Sequence, residues 1–136
     1  MYRFVAIFTV AFFGFVLWVI YLANIGQSHI LFQWAAATPY GDKLGHLFIF
    51  GFLTFIANIS LKLKTVSFGR VTIYLGTLLV SIFVLAEEFS QSYFPTRTMD
   101  IEDVIADAIG ILLFTGISHL VGNRVNRQPI LLTEQT

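Results

Sequence analysis

Asp42 and His46 stand four residues apart, Glu88 and Gln91 three, and Asp103 and Asp107 four, with Lys43 and Arg97 beside them. Residues three or four apart share one face of a helix, so each pair can converge on a common partner. A carboxylate beside an imidazole fixes its tautomer and raises its basicity, as a general base requires. His46, Glu88 and Asp103 are the candidate catalytic groups, with His46 as base or ligand and the two acids orienting it. Asp42, Lys43, His46, Glu88, Gln91, Arg97, Asp103 and Asp107 form the candidate ligand-binding set. Asp42 has a second use as an N-cap, its oxygen accepting the free amides of a first helical turn. Glu87 falls off the Glu88–Gln91 face and is expected in solvent. Arg97 is either a structural ion-pair partner or, through its planar fork of donors, the holder of a phosphate or carboxylate.

Three arrangements suit these groups. One is a structural polar network that locks helices together. A second is a hard divalent-metal site, because Asp, Glu and a lone His suit magnesium, calcium or manganese better than zinc; no residue set is singled out as metal ligands, and no cofactor is specified. The third is a binding or catalytic pocket for a lipid head group or cell-wall precursor.

The elements that must position these residues are membrane helices. The chain has 136 residues, 57% of them hydrophobic and 12% charged, against about 25% charged in a soluble domain. Phe4–Ala23 is a charge-free run long enough to cross the hydrocarbon, which takes about 20 residues; no small-residue cleavage site follows it, so it reads as an uncleaved span. Further spans are expected at about 44–61, 71–86 and 103–121, followed by a polar tail at 122–136. The expected fold is therefore an all-α membrane protein of one domain with four transmembrane helices. Ala106 and Gly110 make a small-xxx-small pair that admits a close neighbour. An acid at Asp107 lies about 6 Å deeper than Asp103 and must face the bundle interior.

Orientation follows from the basic residues. With both termini in the cytoplasm, Arg3, Lys62, Lys64, Arg70, Arg124 and Arg127 lie inside and only Lys43 and Arg97 outside, a positive-inside bias. Tyr2 and Tyr74 then mark inner ends, and Trp18 and Tyr21 an outer one. The first connection, from about Asn24 to Lys43, and the third, from Glu87 to Glu102, both face out. His29 is expected on the surface of the first, and Phe32 and Trp34 on the membrane. The second, Lys62–Arg70, reads as a basic cytoplasmic loop. Of the eight acidic residues only Glu134 lies away from the two outward connections, although a charge at mid-bilayer costs roughly 2.5–3.5 kcal/mol on insertion scales.

Other classes are excluded. Zero formal net charge argues against a nucleic-acid partner, which demands a basic face. Without cysteine there is no disulfide, thiolate-zinc or thiol chemistry. No Gly-rich phosphate loop, nucleophile elbow or His-Glu-x-x-His motif occurs.

At Asp42-Lys43-Leu44-Gly45-His46, at Glu88-Phe89-Ser90-Gln91, and at Arg97 followed by Asp103, Asp107 and Gly110, the chain resembles the VanZ-like family of bacterial membrane proteins. That family carries Asp-Lys-x-x-His, Glu-x-x-Gln, and an Arg followed by Asp-x-x-x-Asn-x-x-Gly; Asp107 stands where it usually has Asn. Order and spacing agree from Asp42 to Gly110. The resemblance implies a multi-pass protein of the bacterial cytoplasmic (inner) membrane acting on the cell envelope, in a family named for a protein linked to low-level teicoplanin resistance. The expected function is to bind or modify an envelope component in an extracytoplasmic polar pocket. The expected partners are the bilayer, a lipid head group or cell-wall precursor, and a homo-oligomeric copy. The alternative is a non-catalytic membrane protein whose polar network is structural or binds a partner protein.

Overall fold

A computed structural model describes residues 2–27 and 30–133. In chain order they form α1 (Tyr2–Asn24), α2 (Ile30–Ala37), α3 (Gly41–Ser60), β1 (Thr65–Phe68), β2 (Val71–Tyr74), α4 (Leu75–Gln91) and α5 (Ile101–Thr133). The surface position expected for His29 lies outside the described residues, as does the end of the tail from Glu134.

Three helical segments are long and apolar enough to cross a bilayer: Tyr2–Asn24, Gly41–Ser60 and Ile101–Arg124. At about 1.5 Å per residue each covers the roughly 30 Å of hydrocarbon. The 17 residues of α4 reach only about 25 Å.

α3 is the central helix, packed most extensively on α5 and also against α1, α4 and α2. The core joins Val16 of α1, Phe50, Leu53 and Ile56 of α3, Val80 and Val84 of α4, and Ile111 of α5. Phe12 meets Phe52 edge-on at 5.1 Å and Phe13 meets Phe83 at 5.0 Å, so aromatic pairs tie α1 to both α3 and α4. Phe4, Val10, Phe48, Leu112 and Leu120 point outward and exposed, as lipid-facing side chains do.

Glycines set the distance between α3 and α5. A Cβ at Gly110 would strike the Leu47 backbone, and one at Gly51 would strike the Phe114 ring. The small-xxx-small pair therefore works as its spacing predicts, with Ala106 also buried.

The second connection corrects the all-α expectation. Residues 65–74 form an antiparallel hairpin, Thr65 opposite Tyr74 and Phe68 opposite Val71. Its strands hold Thr65, Val66, Val71, Thr72 and Ile73, β-branched residues that favour pleated backbone. Gly69, at φ 61°, takes the first position of a two-residue turn, where glycine is needed for φ > 0. The expected third span at 71–86 thus begins as strand, and its helix starts at Leu75 and runs on to Gln91. The fourth span does not stop at Val121 either, and α5 continues to Thr133. Gly122 does not turn the chain there; it lies in the helix against Leu63, where a Cβ would collide.

Candidate functional site

The C-terminal ends of α1 and α4, the N-terminal ends of α3 and α5, and loop 92–100 meet at one end of the bundle. The loop holds them together. The Thr96 hydroxyl donates to the Asn24 carbonyl at 2.7 Å, meeting an acceptor that the end of α1 leaves free. The Asp100 N–H donates to Glu88 Oε1 at 2.9 Å, and Asp100 Oδ2 lies 3.2 Å from Lys43 Nζ. Asp100 also caps α5, its Oδ1 accepting the Glu102 N–H at 2.9 Å. That amide first, and the Lys43 ammonium second, hold the Asp100 carboxyl below the usual aspartate range.

Lys43 stands among four carboxylates: Asp103 at 3.1 Å, Asp100 at 3.2 Å, Glu102 at 3.3 Å and Asp42 at 3.4 Å. The Asp42 and Glu102 side chains are 61% and 68% exposed, so those two contacts contribute about 0–1 kcal/mol each. Asp103, half-buried, is the stronger partner.

His46 sits one turn further into α3, its ring 5.7 Å from that of Phe50. Its Nδ1 is 3.1 Å from Asp107 Oδ1 and its Nε2 is 3.8 Å from Asp103 Oδ2. Only the first distance is a hydrogen bond. With Nδ1–H donating to Asp107, the basic nitrogen is Nε2, on the side of Asp103. Asp107 is fully buried, and its Oδ2 meets no donor among the described residues.

At the end of α4 the Gln91 amide donates to Glu88 Oε2 at 2.9 Å and to Glu87 Oε2 at 3.0 Å. Arg97 Nη2 lies 3.5 Å from Glu87 Oε1, an ion pair with a protein carboxylate. No group of three or more His, Cys, Asp or Glu side chains among the described residues is arranged to hold a metal ion.

The candidate residues therefore fall into two adjoining groups. Lys43, His46, Asp103 and Asp107 bind α3 to α5, and Glu87 with Arg97 and Glu88 with Asp100 bind α4 to the loop, Gln91 joining the two glutamates within α4; Asp100 bridges the two groups through Lys43. Two expectations are corrected. Asp42 neither caps α3 nor touches His46. The helix begins one residue before it, after Tyr40 at φ 57° with no side-chain cap, which places Asp42 in the first turn beside Lys43. Glu87 is buried, because loop 92–100 folds back over it and supplies Arg97. Its spacing of four from Gln91 was the available signal.

A second polar group at the opposite end has no counterpart in the sequence reading. Asn58 of α3 is fully buried. Its Oδ1 accepts the Thr77 N–H at 2.9 Å, and its Nδ2 donates to Thr77 Oγ1 at 3.0 Å and to Ser118 Oγ at 3.4 Å. Thr77 lies in the first turn of α4, whose own cap position, Tyr74, supplies no side-chain bond. Asn58 thus caps α4 from a neighbouring helix. Beside it the Tyr74 hydroxyl meets His119 Nδ1 at 2.7 Å.

Long apolar helices around buried polar side chains, with ion pairs gathered at one end, define a helical membrane protein. The chain matches the VanZ/LLP1 family over residues 4–122 and belongs to it. No curated protein and no solved structure matches the chain.

Proposed function

We propose that this VanZ-like protein crosses the bacterial cytoplasmic membrane four times, with both termini inside, and binds or modifies a cell-envelope component in an outward-facing polar pocket. One observation carries the reading. Segments as distant as Asp42–His46, Glu87–Arg97 and Asp100–Asp107 converge on one end of the bundle, and His46 is held there through Nδ1 so that Nε2 stands as the basic atom beside Asp103. α4 supplies the fourth crossing, its short apolar length completed by tilt or local thinning. The basic residues at 62, 64 and 70 then lie with the hairpin on the cytoplasmic side. On this reading Lys43, His46, Glu88, Gln91, Arg97, Asp103 and Asp107 frame the pocket, with Asp42 at its rim. Teicoplanin tolerance is one envelope phenotype that such a pocket could serve, in hosts whose envelope admits the drug.

The test replaces His46 by Gln and Asp103 by Asn and scores envelope phenotype beside the thermal unfolding of purified protein. Native-like unfolding with a lost phenotype supports a working pocket. A specific observation favours the second reading, a purely structural clasp: Lys43, Glu88, Gln91 and Asp100 already satisfy one another. Variants that unfold favour the clasp, and variants that fold and keep the phenotype reject the pocket.

A further inference from the structure

A cavity of about 570 Å³ runs between α4 and α5. Its walls are largely Leu78, Val84 and Leu85 of α4 with Val104, Ile111 and Leu112 of α5, and its lower end is lined by the hairpin at Thr72–Tyr74. From Thr115 to Val104 the slot follows α5 for about 17 Å at 1.5 Å per residue. Ala108 and Ser81 keep it open, because neither side chain is large enough to fill it. In a bilayer an apolar slot of this kind faces hydrocarbon, where water has no hydrogen-bonding partners.

The upper end of the slot adjoins the polar cluster, since Val104 follows Asp103 and Leu85 lies one turn before Glu88. Charge there is unbalanced. Seven carboxylates gather against Lys43, Arg97 and the His46 imidazole. Lys43 is surrounded by four of them, and among the described residues the Arg97 guanidinium pairs with Glu87, at a long 3.5 Å. A guanidinium has five N–H donors, so Arg97 retains capacity for a phosphate. Asp42 and Glu102 are exposed carboxylates with room for a further cation. The cluster is also short of donors, because Asp107 Oδ2 and Asn24 Oδ1 are buried without one among the described residues.

We infer that the α4–α5 slot seats an acyl chain of a phospholipid bearing a primary amine beyond its phosphate. The phosphate lies on Arg97 and the ammonium among the outer carboxylates. This inference rests on the reading of that end as a binding pocket and names its ligand class. An acidic lipid without an amine would bring a further negative charge to carboxylates already in excess. A quaternary amine would bring charge without N–H donors.

The test incorporates the full chain into bilayer discs of equal phosphatidylethanolamine, phosphatidylglycerol and phosphatidylcholine, then measures retained lipid by native mass spectrometry after transfer to detergent. Phosphatidylethanolamine is expected to exceed each of the others about tenfold, the worth of one charge-assisted hydrogen bond. Ala108→Phe, which fills the slot, should bring retention to background. If that variant does not fold, Leu112→Trp at a 71% exposed position makes the same test. Equal retention of the three lipids, preference for phosphatidylglycerol, or undiminished retention in the folded slot variants would overturn the inference. So would a lipid-free dimer that the same substitutions dissociate, which assigns the slot to a second copy. Failure of retention in a protein whose His46→Gln variant loses envelope function removes the lipid and leaves the pocket. Selective retention with phenotypically silent His46→Gln and Asp103→Asn variants removes the envelope role and leaves the lipid site.

Discussion

At the scale of residues, Asp107 is a fully buried acid of the interior. It is the buried anchor of His46, and one of its oxygens has no donor among the described residues. Asp107→Asn keeps an acceptor for the imidazole N–H and should change stability by less than about 1 kcal/mol, whereas Asp107→Ala strands that N–H and should cost about 1–3 kcal/mol; thermal unfolding in one detergent compares the two. Asp100 gives a pH prediction of definite sign. Its folded pKa is depressed, so the stabilisation it provides is complete above the unfolded value of about 3.9 and is lost as pH falls through the lower folded value. Hydrogen exchange at the Glu102 amide should stay protected from about pH 5 to 8 and rise only in stronger acid. Protection lost already at neutral pH would contradict the cap. Much of this level was legible in advance. Spacings of three and four put Glu88 with Gln91 and made Asp107 an inward-facing acid. Asp100 and Glu87 escaped because a loop that folds back carries Asp100 to Lys43 and Glu88 and brings Arg97 to Glu87, which no helical period encodes. Asn58 was visible only as a polar residue near a helix end; its partner is the first turn of another helix.

At the scale of elements, close backbone approach carries the α3–α5 contact. Gly110→Ala places a methyl against the Leu47 backbone and should destabilise by about 1–3 kcal/mol, while Gly116→Ala, with nothing near its added methyl, should be neutral or slightly stabilising. Equal effects would reject the packing described. Asn58→Leu should cost about 1–3 kcal/mol by leaving the first turn of α4 uncapped. The missed hairpin is instructive. Val71-Thr72-Ile73 is apolar enough to extend a membrane run, so hydropathy absorbed it into the third span. The β-branched composition and the glycine-containing turn at Gly69 carried the competing signal, and local backbone preference prevailed where the chain leaves the bundle.

For the whole molecule, the central proposition is that the first and third connections share one end. The contacts of Thr96 with Asn24 and of Lys43 with Asp100 place them together in the fold; which side of a membrane that end faces is the proposal. The chain has no cysteine, so single thiols introduced at positions 42 and 97 should react with an impermeant reagent in intact cells, and one at position 64 only after lysis. Reaction of 42 and 97 from opposite sides would reject the topology. The gathering of acids in and beside the first and third connections made this shared end readable. The number of crossings was less so, because α4 is shorter than its hydropathy alone suggests.

Loop 92–100 reaches all four long helices, through Asn24, Lys43, Glu87, Glu88 and its cap on α5. It emerges from the ribosome after three of them and before the fourth. During synthesis, then, the α3–α5 contact, the most extensive in the bundle, can form only when the last helix arrives. A chain truncated before Asp100 would lack the last helix together with the links to Lys43 and Glu88 and the helix cap that this one residue supplies.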